Sequence, residues 1–133
     1  NQTVYASSHY IVGLEGEVMQ CVPDEECAFH AGGNNYTELA KTQFRDNGVM
    51  KHNDWTIGIE TCHTDENGNY NSATYTTFVR LTADLLKEYN LSVETGLLRH
   101  YDMTGKDCPQ LFDGANNKEW EKFKEDVRLA MCR

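Results

Sequence analysis

The 133-residue sequence contains no apolar run approaching the ~20 residues of a membrane-spanning helix, and no basic-then-apolar leader opens it. It carries no surplus of positive charge. Twelve basic residues against 21 acidic ones leave a net charge of −9, which repels phosphate backbones and anionic lipid surfaces. Neither nucleic-acid binding nor membrane insertion is expected. A CxxC pair is also missing, and the five cysteines (Cys21, Cys27, Cys62, Cys108 and Cys132) are too few for a disulfide-stapled mini-protein and odd in number. Small buried apolar residues are the plain expectation for them, Cys108 excepted. Internal repeats, low-complexity tracts and interdomain linkers are absent, so collagen-like, coiled-coil and disordered classes fall away. What is present suits one compact domain, with 39% apolar residues to build a core. The sequence has no initiator Met, and Val4 to Val12 already reads as the body of a fold, so a start partway through a domain is expected.

Two β-rich runs, His9 to Leu14 and Glu17 to Val22, flank Glu15-Gly16 and predict a hairpin that Pro23 terminates. Residues 24–55 are rich in loop formers, with Gly32-Gly33-Asn34-Asn35 the most flexible stretch. A short helix from Tyr36 to Asn47, closed by Gly48, is expected inside them. Thr56 to Cys62 (TIGIETC) reads as a strand, with Ile57 and Ile59 on one face and Thr56, Gly58, Glu60 and Cys62 on the other. A polar turn then leads to a long helix capped by Asn71 or Ser72, whose Tyr75, Phe78, Val79, Leu85, Leu86 and Tyr89 follow helical spacing. Gly96 to Tyr101 is expected to return as a short strand. Lys118 to Cys132 forms a last amphipathic helix, with Trp120, Phe123, Val127, Ala130 and Met131 on one stripe. The fold class is α/β, with a mixed central sheet flanked by helices.

Chemistry concentrates in Arg99 to Pro109 (RHYDMTGKDCP). His100 and Cys108 stand eight positions apart across a Gly-containing loop, and imidazole with thiolate is a pairing that Zn²⁺ favours. Two such residues in one loop are also often incidental. Lys106, two residues before Cys108, can offer an ammonium to a developing oxyanion, although a lysine is more commonly a solvated surface charge. Glu is depleted from strands, so Glu60 in TIGIETC either faces water or lines a cleft, where a carboxylate can take a proton from water.

Three segments in order, SSHYIVGLEGEVMQCVPDEECAFHAG (7–32), WTIGIETC (55–62) and RHYDMTGKDCP (99–109), resemble zinc-dependent N-acetylmuramoyl-L-alanine amidases of the type shared by phage lysozyme-like amidases and peptidoglycan-recognition proteins. The resemblance spans Ser7 to Phe112. It implies an amidase/peptidoglycan-recognition-protein-like fold and a single amidase catalytic domain over residues 1–133. It also implies Zn²⁺ as cofactor, with His100 and Cys108 as metal ligands, Glu60 as general base, Lys106 as a catalytic assistant and His30 as a substrate-groove residue. The implied reaction is hydrolysis of the amide between N-acetylmuramic acid and L-alanine in bacterial peptidoglycan, by an enzyme secreted or released at phage lysis.

The family's first zinc histidine belongs on an early strand, tens of residues before SSHY, and this sequence begins six residues before that segment. A piece of a longer amidase is therefore expected, lacking the third ligand. His9 matches a family histidine that binds no metal and is expected to be hydrogen-bonded near the site. His63 is the next candidate for a replacement ligand, and His52 is expected to be solvated. A non-catalytic peptidoglycan-binding module with an incomplete zinc site is the alternative function. A sheet lacking a central strand has an open edge, so a dimer through that edge is also expected.

Overall fold

The computed structural model describes residues 6–133. The expected ordered start at Val4 and Tyr5 lies outside them. The first hairpin forms as its turn residues dictate: β1 (Tyr10–Val12) pairs antiparallel with β2 (Val18–Gln20), and Gly16 takes the left-handed conformation at φ 77° that a Cβ would strain. Two hydroxyls on the long helix fasten this hairpin from behind. Thr74 Oγ1 donates to Gly13 O and Thr77 Oγ1 to Gly16 O, both at 2.8 Å. Thr74 and the adjoining Val12 are fully buried.

The next segment departs from expectation. α1 (Glu38–Phe44) is capped by Thr37, which accepts from Ala40 N, and it ends before a small hairpin of β3 (Arg45–Asp46) and β4 (Val49–Met50). Gly48 does not close a helix. Asn47 and Gly48 both adopt positive φ (47° and 79°), the geometry of a two-residue hairpin turn, for which Asn-Gly is the strongest short signal. α2 (His52–Trp55) follows, then β5 (Ile59–Thr61), which pairs parallel with β1. The sheet order is β2-β1-β5, mixed as expected.

α3 (Ser72–Glu88) is capped by Asn71, whose side chain accepts from Thr74 N at 2.8 Å. After α4 (Val93–Gly96), α5 (His100–Thr104) replaces the expected strand from Gly96 to Tyr101. The cause is an i, i+3 ion pair. Asp102 accepts from the Arg99 backbone N–H at 2.8 Å and from its guanidinium at 2.7 and 3.0 Å, which starts a helix at His100. The chain closes with α6 (Lys118–Met131), capped by Asn117.

The core lies between α3, α6 and the inner face of the sheet. Phe78, Phe112, Trp120 and Phe123 interlock there, with ring centroids 4.3 Å apart for Phe78–Phe123 and 5.2 Å for Phe112–Phe123. Val127 and Ala83 fill the gaps, and Ile59 of β5 packs onto the cluster. A second, smaller cluster of Ala31, Ala40 and Met103 joins α1 to α5. The cysteines do not follow their expectation: all five thiols are free, Cys21, Cys27 and Cys132 are exposed, and Cys62 and Cys108 are half-buried. The buried cluster is built from aromatic and aliphatic side chains and includes no cysteine.

Candidate active site

β5 is the floor of the site. Its pleat sends Ile59 down into the core while Glu60, on the opposite face, stands exposed. Gly58 shares the Glu60 face and is buried beneath the His30 ring. A Cβ on Gly58 would come within 2.4 Å of His30 Cγ, so glycine is what lets the imidazole lie on the sheet. Opposite β5, the segment around α5 brings up the remaining residues. His30, Glu60, His100, Lys106 and Cys108 all line one cleft of about 860 Å³. Residues separated by as many as 78 positions thus share one cavity.

The segment bearing His100 and Cys108 is rigidly held. Arg99 is buried; beyond its pairing with Asp102 it donates to Phe112 O and Gly114 O, and its guanidinium lies over the Tyr101 and Trp120 rings at 4.7 and 5.0 Å. Gly105 ends α5 in the left-handed conformation at φ 75°, and Tyr101 N–H donates to Cys108 O at 3.0 Å, closing the loop. Burial pushes the Cys108 thiol up, Glu60 adds to the shift, and the Lys106 ammonium opposes it.

His100 faces Gly32 O with Nε2 at 2.9 Å. A carbonyl only accepts, so Nε2 carries the hydrogen and Nδ1 is left as the donor to a metal, an orientation typical of ligating histidines. Imidazole nitrogen and the thiolate sulfur of Cys108, which lines the same cleft, are donor types that zinc takes. The set stops there. Among the described residues no group of three His, Cys, Asp or Glu side chains could hold a metal ion, and residues 1–5 (Asn-Gln-Thr-Val-Tyr) include none of these types. The donors of this chain do not fit a three-ligand catalytic zinc.

The other histidines are accounted for by their neighbours. His9 is fully buried; its Nδ1 accepts from Gly58 N–H at 3.0 Å and its Nε2 donates to Glu26 O at 2.8 Å, so neither nitrogen is free. His63 is exposed, with Nδ1 2.8 Å from Asp65 O. His52 is not solvated: it is buried in α2, 4.9 Å from the Tyr36 ring, and burial lowers its pKa.

His30 is also held at both nitrogens. Nδ1 donates to Ala28 O at 2.9 Å, and Nε2 lies 2.7 Å from Thr56 Oγ1. Burial lowers its pKa to about 4, and the nearby His9, His52 and His100 push the same way. The Thr56 hydroxyl donates to His52 O at 2.5 Å, so its oxygen and not its hydrogen faces the ring. Both nitrogens of His30 are therefore taken within the chain. A ligand meets the ring's carbon edge, or a ring nitrogen only after the Ala28 or Thr56 contact opens.

Sequence reasoning missed Thr56, Gly58 and the Arg99–Asp102 pair. The i, i+3 charge spacing in RHYD was available as a signal for the pair. The other two depend on distant neighbours and leave no local trace.

Comparison with known proteins agrees with this picture. Residues 1–111 match the family model described as N-acetylmuramoyl-L-alanine amidase. The chain is 36% identical over 107 residues to a probable N-acetylmuramoyl-L-alanine amidase of Bacillus licheniformis, covering 79% of this chain and 27% of that protein. It is 29% identical over 133 residues to the Bacillus subtilis amidase BlyA, covering 98% of this chain and 35% of that one. It thus spans only about a third of the length of these curated relatives. Among solved structures, a selenomethionine derivative of AmpD superposes with a TM-score of 0.63 at 25% identity, over 93% of this chain and 61% of that one. The Escherichia coli amidase AmiD, solved with anhydro-N-acetylmuramic acid-L-Ala-D-gamma-Glu-L-Lys, shares the fold with a TM-score of 0.65 at 23% identity, over 93% and 49%.

Proposed function

Because the chain belongs to the N-acetylmuramoyl-L-alanine amidase family, we propose that its cleft hydrolyses the amide joining the lactyl group of N-acetylmuramic acid to L-alanine in bacterial peptidoglycan. The observation that carries this reading is the gathering of Glu60, Lys106, His100, Cys108 and His30 around one cavity. Glu60, exposed on the cleft face of β5, takes a proton from the attacking water. The water oxygen bonds to the carbonyl carbon, the C–N bond breaks, and the proton passes to the leaving amine of L-alanine. Lys106 stabilises the negative charge that develops on the carbonyl oxygen. Zinc is the metal that the His100–Cys108 pair suits; bound with a third donor, it would polarise the carbonyl and acidify water. Two donors of this chain do not complete that coordination.

Release of new L-alanine amino termini from purified peptidoglycan tests the reading. Glu60→Gln is expected to lower the rate about 10²- to 10⁴-fold while leaving the thermal midpoint unchanged. A Glu60→Gln protein as fast as its parent removes Glu60 from the reaction.

The two-donor set favours a second reading, a module that holds muropeptides without cleaving them. Calorimetric binding of a muropeptide with no new amino termini, in the presence of zinc, would select it. The cell wall is the site of action under both readings. Secretion or release at phage lysis is part of the proposal, as is pairing of two chains through the open sheet edge, which sedimentation measurements address.

A further inference from the structure

The cleft extends past the reacting groups. Beyond His30 and Thr56 it runs along α2 to Trp55, which lines it with 54% of its surface exposed. Tryptophan is highly buried on average, and the chain's other tryptophan, Trp120, is only 7% exposed. An indole left open at a cleft wall is a surface waiting for a partner, provided that it is held still.

It is held still. Trp55 N–H donates to Lys51 O at 3.0 Å, and His52, three residues earlier, is buried against Tyr36. Asn53 Oδ1 accepts from the backbone N–H groups of His30 and Ala31 at 3.3 and 3.2 Å, and the Thr56 hydroxyl donates to His52 O with its oxygen 2.7 Å from His30 Nε2. The turn that presents Trp55 is thus tied by side-chain bonds to the residue lying over β5. Its backbone keeps a fixed position relative to His30, and Asp54, with its carboxylate 3.9 Å from Lys51 Nζ, lines the same cleft.

The C–H face of a pyranose packs against an aromatic plane, while the hydroxyl and amide hydrogens on its rim need acceptors. An indole beside a carboxylate meets both needs. We propose that Trp55 is the platform on which the muramoyl sugar ring stacks, with Asp54 accepting from its rim, so that the glycan lies along α2 and the stem peptide along the Lys106–Cys108 side. This rests on the amidase reading and adds the direction in which substrate lies.

The chain's own optics provide the test. With two tryptophans, one of them buried, ligand contact at Trp55 changes the emission, and Trp55→Phe removes that change. Two ligands are titrated into wild type, Trp55→Phe and Trp55→Ala: N-acetylmuramoyl-L-Ala-D-γ-Glu-L-Lys, and the tripeptide without sugar. Calorimetry on the same samples reads binding independently. The sugar-bearing ligand is expected to shift wild-type emission and to bind about tenfold more weakly to Trp55→Ala, with Trp55→Phe in between. The tripeptide is expected to leave emission unchanged and to bind all three proteins alike. If the sugar-bearing ligand binds all three equally, or the tripeptide alone shifts the emission, the sugar platform is wrong while the amidase reading stands. If neither ligand binds by calorimetry, the amidase reading falls and the platform with it.

Discussion

Two regions of this chain are built on different terms. Beneath the sheet, α3 and α6 enclose four aromatic rings, and Phe112, Phe123 and Val127 have almost no exposed surface. Around the cleft, from residue 24 to residue 57 and through α5, the apolar cluster shrinks to Ala31, Ala40 and Met103, while Leu39, Val49 and Trp55 stand open to solvent. Hydrogen bonds take over there: Asn53 to the His30 and Ala31 backbone, Thr56 to His30, Thr37 to Asp102 O, His100 to Gly32 O. The lower region is fixed by packing, which is non-directional and strong. The upper one is fixed by directional bonds, which set side-chain orientation at a net worth of about 1 kcal/mol each. A site that must aim its groups uses the second kind.

The comparison can be broken most forcefully from below. Phe123→Ala removes the ring that touches Phe78, Phe112, Trp120 and Tyr75 and should cost about 3–5 kcal/mol in urea unfolding. A loss no larger than that of Met103→Ala would deny the lower region its dominance. Asp102→Asn leaves the buried Arg99 guanidinium without its carboxylate, at about 3 kcal/mol. Since the pair also starts α5, His100 should lose its hydrogen bond to Gly32 O, visible as a shift of its ring resonances. An effect of similar size follows from His30. Its folded pKa is about 4 against 6.5 for the free side chain, so below pH 6.5 the unfolded chain binds the extra proton first. Stability is complete above pH 6.5 and declines as the pH falls toward 4. His30→Asn should flatten that decline, and an unchanged acid slope would contradict the shift. The gentlest probe is Thr56→Val, expected to cost about 1 kcal/mol and to move the ring nitrogen shifts of His30, with Thr56→Ser restoring them. Identical spectra for the valine and native proteins would show that the hydroxyl does not set the ring.

The same division explains what could be read from the sequence. α3, α6 and the first hairpin announce themselves through apolar spacing, Asn caps and a glycine turn, because packing elements carry their pattern locally. The hairpin at Asn47-Gly48 was legible too, yet a helical reading of the preceding residues hides it. α5 misreads as a strand because Leu97 and Leu98 look β-like, while the Arg99–Asp102 pair that starts the helix draws its strength from burial by distant residues. Family resemblance singles out Glu60, Lys106, His100, Cys108 and His30, and the fold brings them to one cavity. It gives no hint that both nitrogens of His30 are already taken, since Ala28 O and Thr56 Oγ1 are matters of three-dimensional neighbourhood.

Gly58 lies so close under His30 that any side chain would strike the imidazole. Positions 30 and 58 are therefore not independent letters. Drift at residue 58 to anything larger than hydrogen demands a smaller residue at 30 or a shifted loop from 28 to 31, and a protein engineer who enlarges residue 58 must shrink residue 30. Twenty-eight positions apart in the chain, the two behave as a single choice.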